Sequence, residues 1–236
     1  MNTALKVLLG LVGLFALLFY VVYPIAEWSE STQAPFGASL EDKYIVIRGK
    51  KPIDAHVSAY GTFYGGEECK SFSWSASDGE IRAGGKSNIL FDHNFAKSND
   101  TYELRLPYKG AMSSGCDMKL HQITVDAKNT FDTVGFAELR IYSPVSSTDS
   151  PLSFNSLIEA KDCNGDVFKS IRKVWAGAIG CHFYIDNKQR TKDEEFNAFT
   201  VYYDFSKFND DTVIHYDISA GEGYRTEPVD ENHGTE

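Results

Sequence analysis

Positive charge is scarce in this sequence of 236 residues. Lys and Arg number 23 against 33 Asp and Glu, a formal net charge of −10. A general nucleic-acid binder neutralises phosphates with a basic surface, so this balance excludes that class of partner. It also excludes a peripheral protein held to anionic lipid by a basic patch. Signatures of chemistry are missing too. The chain has no Gly-x-Ser-x-Gly, no Gly-x-Gly-x-x-Gly, no Walker loop, no His-Glu-x-x-His and no Cys-x-x-Cys. Nothing therefore signals a nucleophile elbow, a nucleotide cradle, a zincin or a redox dithiol. The six histidines stand isolated along the chain. Asp162-Cys-Asn-Gly-Asp166 departs from a calcium loop, because Gly165 falls at position four and Lys173 at position twelve. Glu67-Glu68 and Glu194-Glu195 are adjacent doublets, which on a strand point to opposite faces and do not make a glycosidase pair. No catalytic residue, metal or cofactor is expected.

What the sequence has is apolar and aromatic surface. Phe, Tyr and Trp number 16, 13 and 3, enough to build a sizeable core. The run from Val7 to Ala26 holds no charge over twenty residues, the length that crosses a hydrocarbon layer of about 30 Å as a helix. Lys6 precedes it, while Glu27 and Glu30 follow. This asymmetry predicts a cytoplasmic amino terminus and a bulk outside, most simply in a bacterial periplasm. A cleaved signal peptide is the competing reading, but the run is long for one and no Ala-x-Ala site follows. Residues 1–26 are thus expected to be a transmembrane signal-anchor and residues 27–42 a polar linker. Without the anchor, the remainder holds 22 basic and 33 acidic residues, a net of −11.

Cys69, Cys116, Cys163 and Cys181 are an even number, which in an oxidising compartment favours two disulfides. Of the three possible pairings, Cys69–Cys116 and Cys163–Cys181 each close a loop within one half of the chain.

From Lys43 onward, two-residue alternation dominates. In Thr101–Tyr108, Tyr102, Leu104 and Leu106 share one face and Glu103 and Arg105 the other. Gly135–Tyr142 repeats this with Ala137, Leu139 and Ile141. Over Met118–Ala127 the phase changes: Met118 and Leu120 are even, Ile123 and Val125 odd. A strand cannot bury both sets on one face, so a β-bulge is expected near His121–Gln122. Asp78-Gly79 and Asn164-Gly165 read as turns. Leu152–Ala160 and Glu194–Phe199 read as short helices, and Asp166–Val174 as a strand pairing with Cys181–Asp186. The expected fold is an all-β sandwich spanning residues 43–221, with residues 144–151 as a possible boundary between two packed β-units. Residues 222–236 read as an acidic disordered tail.

The function expected from location, charge and missing chemistry is protein–protein binding, with a partner of basic surface. A concrete version is a periplasmic immunity protein that neutralises a toxin. Alternatives are an accessory subunit of an envelope or secretion complex, and a hydrolase or carbohydrate-binding module. The candidate contact residues are Glu67, Glu68, Trp74, Trp175, Tyr202 and Tyr216.

Overall fold

The computed structural model describes residues 12–24, 34–66, 69, 73–74, 81–82, 85–113, 116–130, 135–146, 148–164, 179–191 and 197–224. The chain divides into two compact units, Met1–Ser39 and Leu40–Glu236. In the first unit, residues 12–24 are helical, with π-type turns over Leu18–Val22. No side chain of this stretch is buried. Among the described residues, no helix is long and apolar enough to cross a membrane, so the expected transmembrane helix is not seen. Residues 1–11 and 25–33 lie outside the described part.

The second unit is built from strands. One sheet comprises β1 (Tyr44–Lys50), β6 (Thr101–Pro107), β10 (Leu157–Asn164), β11 (Gly180–Ile185), β12 (Lys188–Gln189) and β14 (Val213–Ala220), in the order β12-β11-β10-β14-β1-β6. The second comprises β2 (His56–Gly65), β5 (Lys86–Phe91), β8 (Cys116–Lys128), β9 (Phe136–Tyr142) and β13 (Ala198–Tyr202), in the order β13-β9-β8-β2-β5. Here β7 (Ala111–Ser113) also pairs with β8. β3 (Ser73–Trp74) and β4 (Ile81–Arg82) pair antiparallel on either side of Asp78-Gly79, as that turn predicts, while the turn itself lies outside the described residues.

Alternation decides which side chains meet. Ile45 and Ile47, Leu104 and Leu106, and Ile214 and Ile218 point inward from the first sheet. Val57 and Ala59, Ile123 and Val125, and Leu139 and Ile141 point inward from the second. All of them are buried in one hydrophobic cluster, the filling of a sandwich. The expected bulge is present: Thr62 sits opposite Gln122 and Phe63 opposite Leu120, so His121 is the extra residue. The insertion lets Met118, Ile123 and Val125 all be buried despite their mixed parity.

Several expectations are corrected. Residues 144–151 are not a boundary between units, because β10, β11 and β14 share a sheet with β1 and β6, and β13 pairs with β9. Leu152–Ala160 is not a helix: Leu157–Asn164 is strand β10, flanked by β11 and β14. Its apolar residues Ile158 and Ala160 alternate, and both are buried. Ala198–Tyr202 is likewise a strand, while residues 192–196 lie outside the described part. β11 pairs with β10, and the strand expected over residues 166–174 also lies outside it. Residues 222–224, expected to belong to the tail, are part of the folded unit. Tyr224 packs its ring 5.7 Å from that of Phe136 and accepts a hydrogen bond from Asn129 at 3.0 Å. Residues 225–236 lie outside the described part.

The sheet edges are finished in different ways. At the β6 edge, Asn94 acts as a plug. Its Oδ1 accepts from the backbone N–H of Glu103 and of Ala96, both at 2.9 Å, and its Nδ2 donates to the Thr101 carbonyl at 3.1 Å. The Phe95 N–H adds a bond to the Glu103 carbonyl at 2.9 Å. The opposite edge of this sheet is β12, only two residues long. It is turned by Asp186 and Asn187, both at positive φ (51° and 62°), the geometry of a type I′ hairpin. In the second sheet, the Tyr202 carbonyl of β13 is taken by the Leu152 N–H at 2.8 Å.

Candidate functional site

Both disulfides form as the loop argument predicts: Cys69 is bonded to Cys116 and Cys163 to Cys181, with no free cysteine among the described residues. Cys163 and Cys181 are also fully buried, so this bridge is part of the core as well as a staple. It joins β10 to its neighbour β11, where the ladder register shifts between Lys161 and Asn164.

The outward side chains of the second sheet form an ordered polar face. Its register runs straight across the strands. Asn88 of β5 lies beside Thr62 of β2, Thr62 beside Gln122 of β8, Gln122 beside Tyr142 of β9, and Tyr142 beside Tyr202 of β13. The adjacent row is Leu90, Tyr60, Thr124, Arg140 and Thr200. Beyond the first row, Tyr64 lies beside Lys86 and Lys119. Tyr60, Tyr142 and Tyr202 are half-buried; Tyr64 and Leu90 are exposed.

Side-chain bonds hold this face in place. The Thr62 hydroxyl donates to Asn88 Oδ1 at 3.0 Å, and Gln122 Nε2 donates to Thr124 Oγ1 at 2.9 Å. Tyr64 meets the His121 ring edge-on at 4.8 Å, so the bulged residue is aimed at this surface. Lys86 places its ammonium 5.8 Å from the Tyr64 ring centre. Arg140 is paired with Glu138. The charges in this phase are Lys86, Lys119, Lys128 and Arg140 against Glu138 and Asp126, so the tyrosine face is not acidic. Exposed carboxylates stand instead in loops, among them Asp92, Asp100, Asp186, Asp210 and Asp211. Tyrosine supplies wide contact area and a polar tip at low entropy cost, and amides and hydroxyls supply hydrogen bonds, a composition suited to recognition.

On the first sheet, β1 and β14 run parallel through Arg48 and His215 and then separate. A shallow cleft of about 300 Å³ opens there, lined by Arg48, Gly49, Lys50, Ala96, Thr101, Tyr102, Glu103, His215 and Asp217. Its acidic groups already have partners. Asp217 Oδ1 accepts the Lys50 N–H at 2.9 Å, and Glu103 Oε1 accepts from Arg105 Nη2 at 2.9 Å. Arg105 is itself held between aromatic rings, 4.0 Å from the Phe95 centroid and 4.9 Å from that of Tyr44. The floor is Tyr102, whose hydroxyl donates to the Tyr216 carbonyl at 2.7 Å. This arrangement joins a diverging sheet and brings no nucleophile against a base. His56, His93, His121 and His215 make no hydrogen bond to a hydroxyl or carboxylate among the described residues. No group of three His, Cys, Asp or Glu side chains among the described residues is placed to hold a metal.

One basic residue is used structurally. Lys51 Nζ donates to the carbonyls of Ala55 and Asn99, each at 2.7 Å. Burial lowers its pKa from the usual lysine range.

The candidate contact residues separate on inspection. Tyr202 lies on the tyrosine face. Tyr216 does not belong to a displayed surface: it is fully buried, because Ile214, Tyr216 and Ile218 form the inward phase of β14 and His215 and Asp217 the outward one. Its hydroxyl donates to the Ala137 carbonyl in the opposite sheet. Trp74 is in β3, its side chain outside the described part, and Glu67, Glu68 and Trp175 also lie outside it. Sequence reasoning passed over Tyr60, Tyr64 and Tyr142. The signal was present, since each is out of phase with its apolar neighbours: Ala59 and Phe63 on β2, Ile141 on β9. No family model, curated protein or solved structure matches the chain.

Proposed function

We propose that this is an exported, membrane-held β-sandwich protein that works by binding another protein on the tyrosine face of the second sheet. The face carries the reading. Tyr60, Tyr64, Tyr142 and Tyr202 surround Thr62, Asn88, Gln122 and Thr124 on a sheet backed by a filled core. Aromatic side chains on a rigid support are where binding energy concentrates. Two disulfides support an oxidising compartment. The uncharged Val7–Ala26 run, helical over its described residues 12–24, supports attachment to a membrane. The acidic loops favour a basic surface on the partner around the central contact. One concrete form is a periplasmic immunity protein that covers the working surface of a toxin.

The test is co-purification with the full chain in a mild detergent, comparing wild type with Tyr142→Ala/Tyr202→Ala. The expected result is a stoichiometric protein partner, lost by at least about tenfold in the double variant while both disulfides persist. Partner capture unchanged by the double variant would place the interface elsewhere. A glycan bound by the same face, with no protein captured, would replace the reading with sugar binding.

A further inference from the structure

The cleft between β1 and β14 holds donors with nothing to bind. Along β1, Val46, Arg48 and Lys50 point outward, because Ile45 and Ile47 are the buried phase. In the ladders, Arg48 lies between Glu103 on β6 and His215 on β14. An arginine opposite a carboxylate on a neighbouring strand is a natural ion pair. Here Glu103 turns along its own strand instead, and its Oε1 accepts from Nε and Nη2 of Arg105 at 3.0 and 2.9 Å. The rings of Phe95 and Tyr44 hold Arg105 in that position. Arg48 is left without a carboxylate. Among the described residues, no hydrogen bond or ion pair reaches the Arg48 guanidinium, the Lys50 ammonium or the His215 ring. By contrast, Lys43, Lys128, Arg140, Lys161 and Lys207 each have a carboxylate partner. The three unused donors all line the same cleft of about 300 Å³, a volume at the small end for ligand sites.

We propose that this cleft binds a small hydroxylated anion, a sugar acid or a sugar phosphate, with its anionic group on Arg48 and His215. This does not rest on the protein-binding reading, which uses the other sheet. The anion follows from charge. Arg105 neutralises Glu103, so the lining carries Arg48 and Lys50 against Asp217, an excess of one positive charge. The chain as a whole has a net charge of −10 and repels anions, so an anion held here is held by these local donors. The guanidinium fork matches the paired oxygens of a carboxylate or phosphate, and the His215 ring N–H and the Lys50 ammonium supply further donors. The hydroxyls follow from the acceptors. Asp217 Oδ1 takes the Lys50 N–H and Glu103 Oε1 takes Arg105, which leaves Asp217 Oδ2 and Glu103 Oε2 without a bond among the described residues. Each can accept from a ligand hydroxyl.

The full chain in a mild detergent is titrated with glucuronate, glucose 6-phosphate and glucose. The His215 ring and Arg48 Nε–H signals of labelled protein are followed by NMR. At least one anion should move both signals with a Kd of about 1 mM or tighter, while glucose leaves them in place. Tighter binding of glucuronate assigns a carboxylate, and tighter binding of glucose 6-phosphate assigns a phosphate. Arg48→Gln should weaken the anion at least about tenfold with both disulfides retained. His215→Gln, on the other strand, should weaken it as well. Lys188→Gln removes an equal charge from edge strand β12 and should change nothing. No saturation by about 10 mM, equal binding of glucose, binding that survives Arg48→Gln, or an equal loss in Lys188→Gln overturns the proposal.

Discussion

The Tyr102 hydroxyl donates to the main-chain carbonyl of Tyr216 at 2.7 Å, and Tyr216 in turn donates its own hydroxyl to the carbonyl of Ala137. The first bond spans β6 and β14 within one sheet; the second crosses to the other. Between Tyr102 and Tyr216 lies Gly49, opposite Tyr102 in the β1–β6 ladder. A Cβ on Gly49 would lie 1.8 Å from the Tyr216 carbonyl oxygen. The glycine leaves room where β1 and β14 separate, and the tyrosine covers the opening.

Tyr102→Phe should therefore cost about 1–3 kcal/mol, the penalty for stranding a buried carbonyl. Gly49→Ala should cost at least as much, since the obstacle is backbone and cannot rotate away. Urea midpoints of the two variants test this. A midpoint equal to wild type for Gly49→Ala would refute the close approach.

Burial raises the phenol pKa of Tyr102, Tyr203 and Tyr216. In the unfolded chain these phenols titrate near 10, so above that pH the folded state holds more protons than the unfolded one. The stability is complete below pH 10 and falls above it, by about 1.4 kcal/mol per pH unit for each phenol. Tyr216→Phe should flatten the slope by about that amount, while losing a hydrogen bond at neutral pH. Tyr203 differs, because its buried hydroxyl has no hydrogen-bond partner among the described residues. Tyr203→Phe should flatten the slope and also raise neutral-pH stability by about 1 kcal/mol. Denaturant titrations from pH 8 to about 11 separate the two outcomes.

Much of this architecture could be read from residue order, and the reasons differ by element. Thr101–Tyr108 was legible because Tyr102, Leu104 and Leu106 alternate with Glu103 and Arg105. The His121 bulge was legible because two apolar phases met in one strand. Leu152–Ala160 misled because Phe154, Leu157 and Ile158 also fit the i, i+3, i+4 spacing of a helix, and only the flanking β11 and β14 settle the matter. Parallel pairing of β14 with β1 and β10 leaves no local trace, since it joins segments far apart in sequence. Tyr216 misled for a related reason: alternation says that it opposes His215, not which of the two faces the core. The tyrosine face needed register between five strands, which no single strand carries.

The two disulfides should contribute unequally. On the loop-entropy model, a separation of 47 residues for Cys69–Cys116 gives about 4 kcal/mol and one of 18 for Cys163–Cys181 about 3 kcal/mol. Cys163 and Cys181 are also core residues, however, so Cys163→Ala/Cys181→Ala adds a packing loss. That double variant should match or exceed the cost of Cys69→Ala/Cys116→Ala, despite its shorter loop. A clear reversal in thermal unfolding would show that loop length alone decides.

Asn94→Ala removes all three bonds of the plug on β6. The expected loss is about 1–3 kcal/mol, together with concentration-dependent association that wild type lacks at this edge. Hydrogen exchange at the Glu103 amide is the local readout, and unchanged protection there would contradict the assigned role.

The position of β14 has a temporal consequence. It lies between β1 and β10, parallel to both, and the Lys50 backbone N–H and the Asp217 carboxylate bonded across this junction are 167 residues apart in sequence. During synthesis at about 5–20 residues per second, β1 waits on the order of ten to thirty seconds for its neighbour. Until then the centre of its sheet is missing, and two inner strands show bare flanks. A chain that stalls before Val213 leaves the ribosome without the middle of its first sheet, so a quality-control protease meets an open sandwich and not a shortened one.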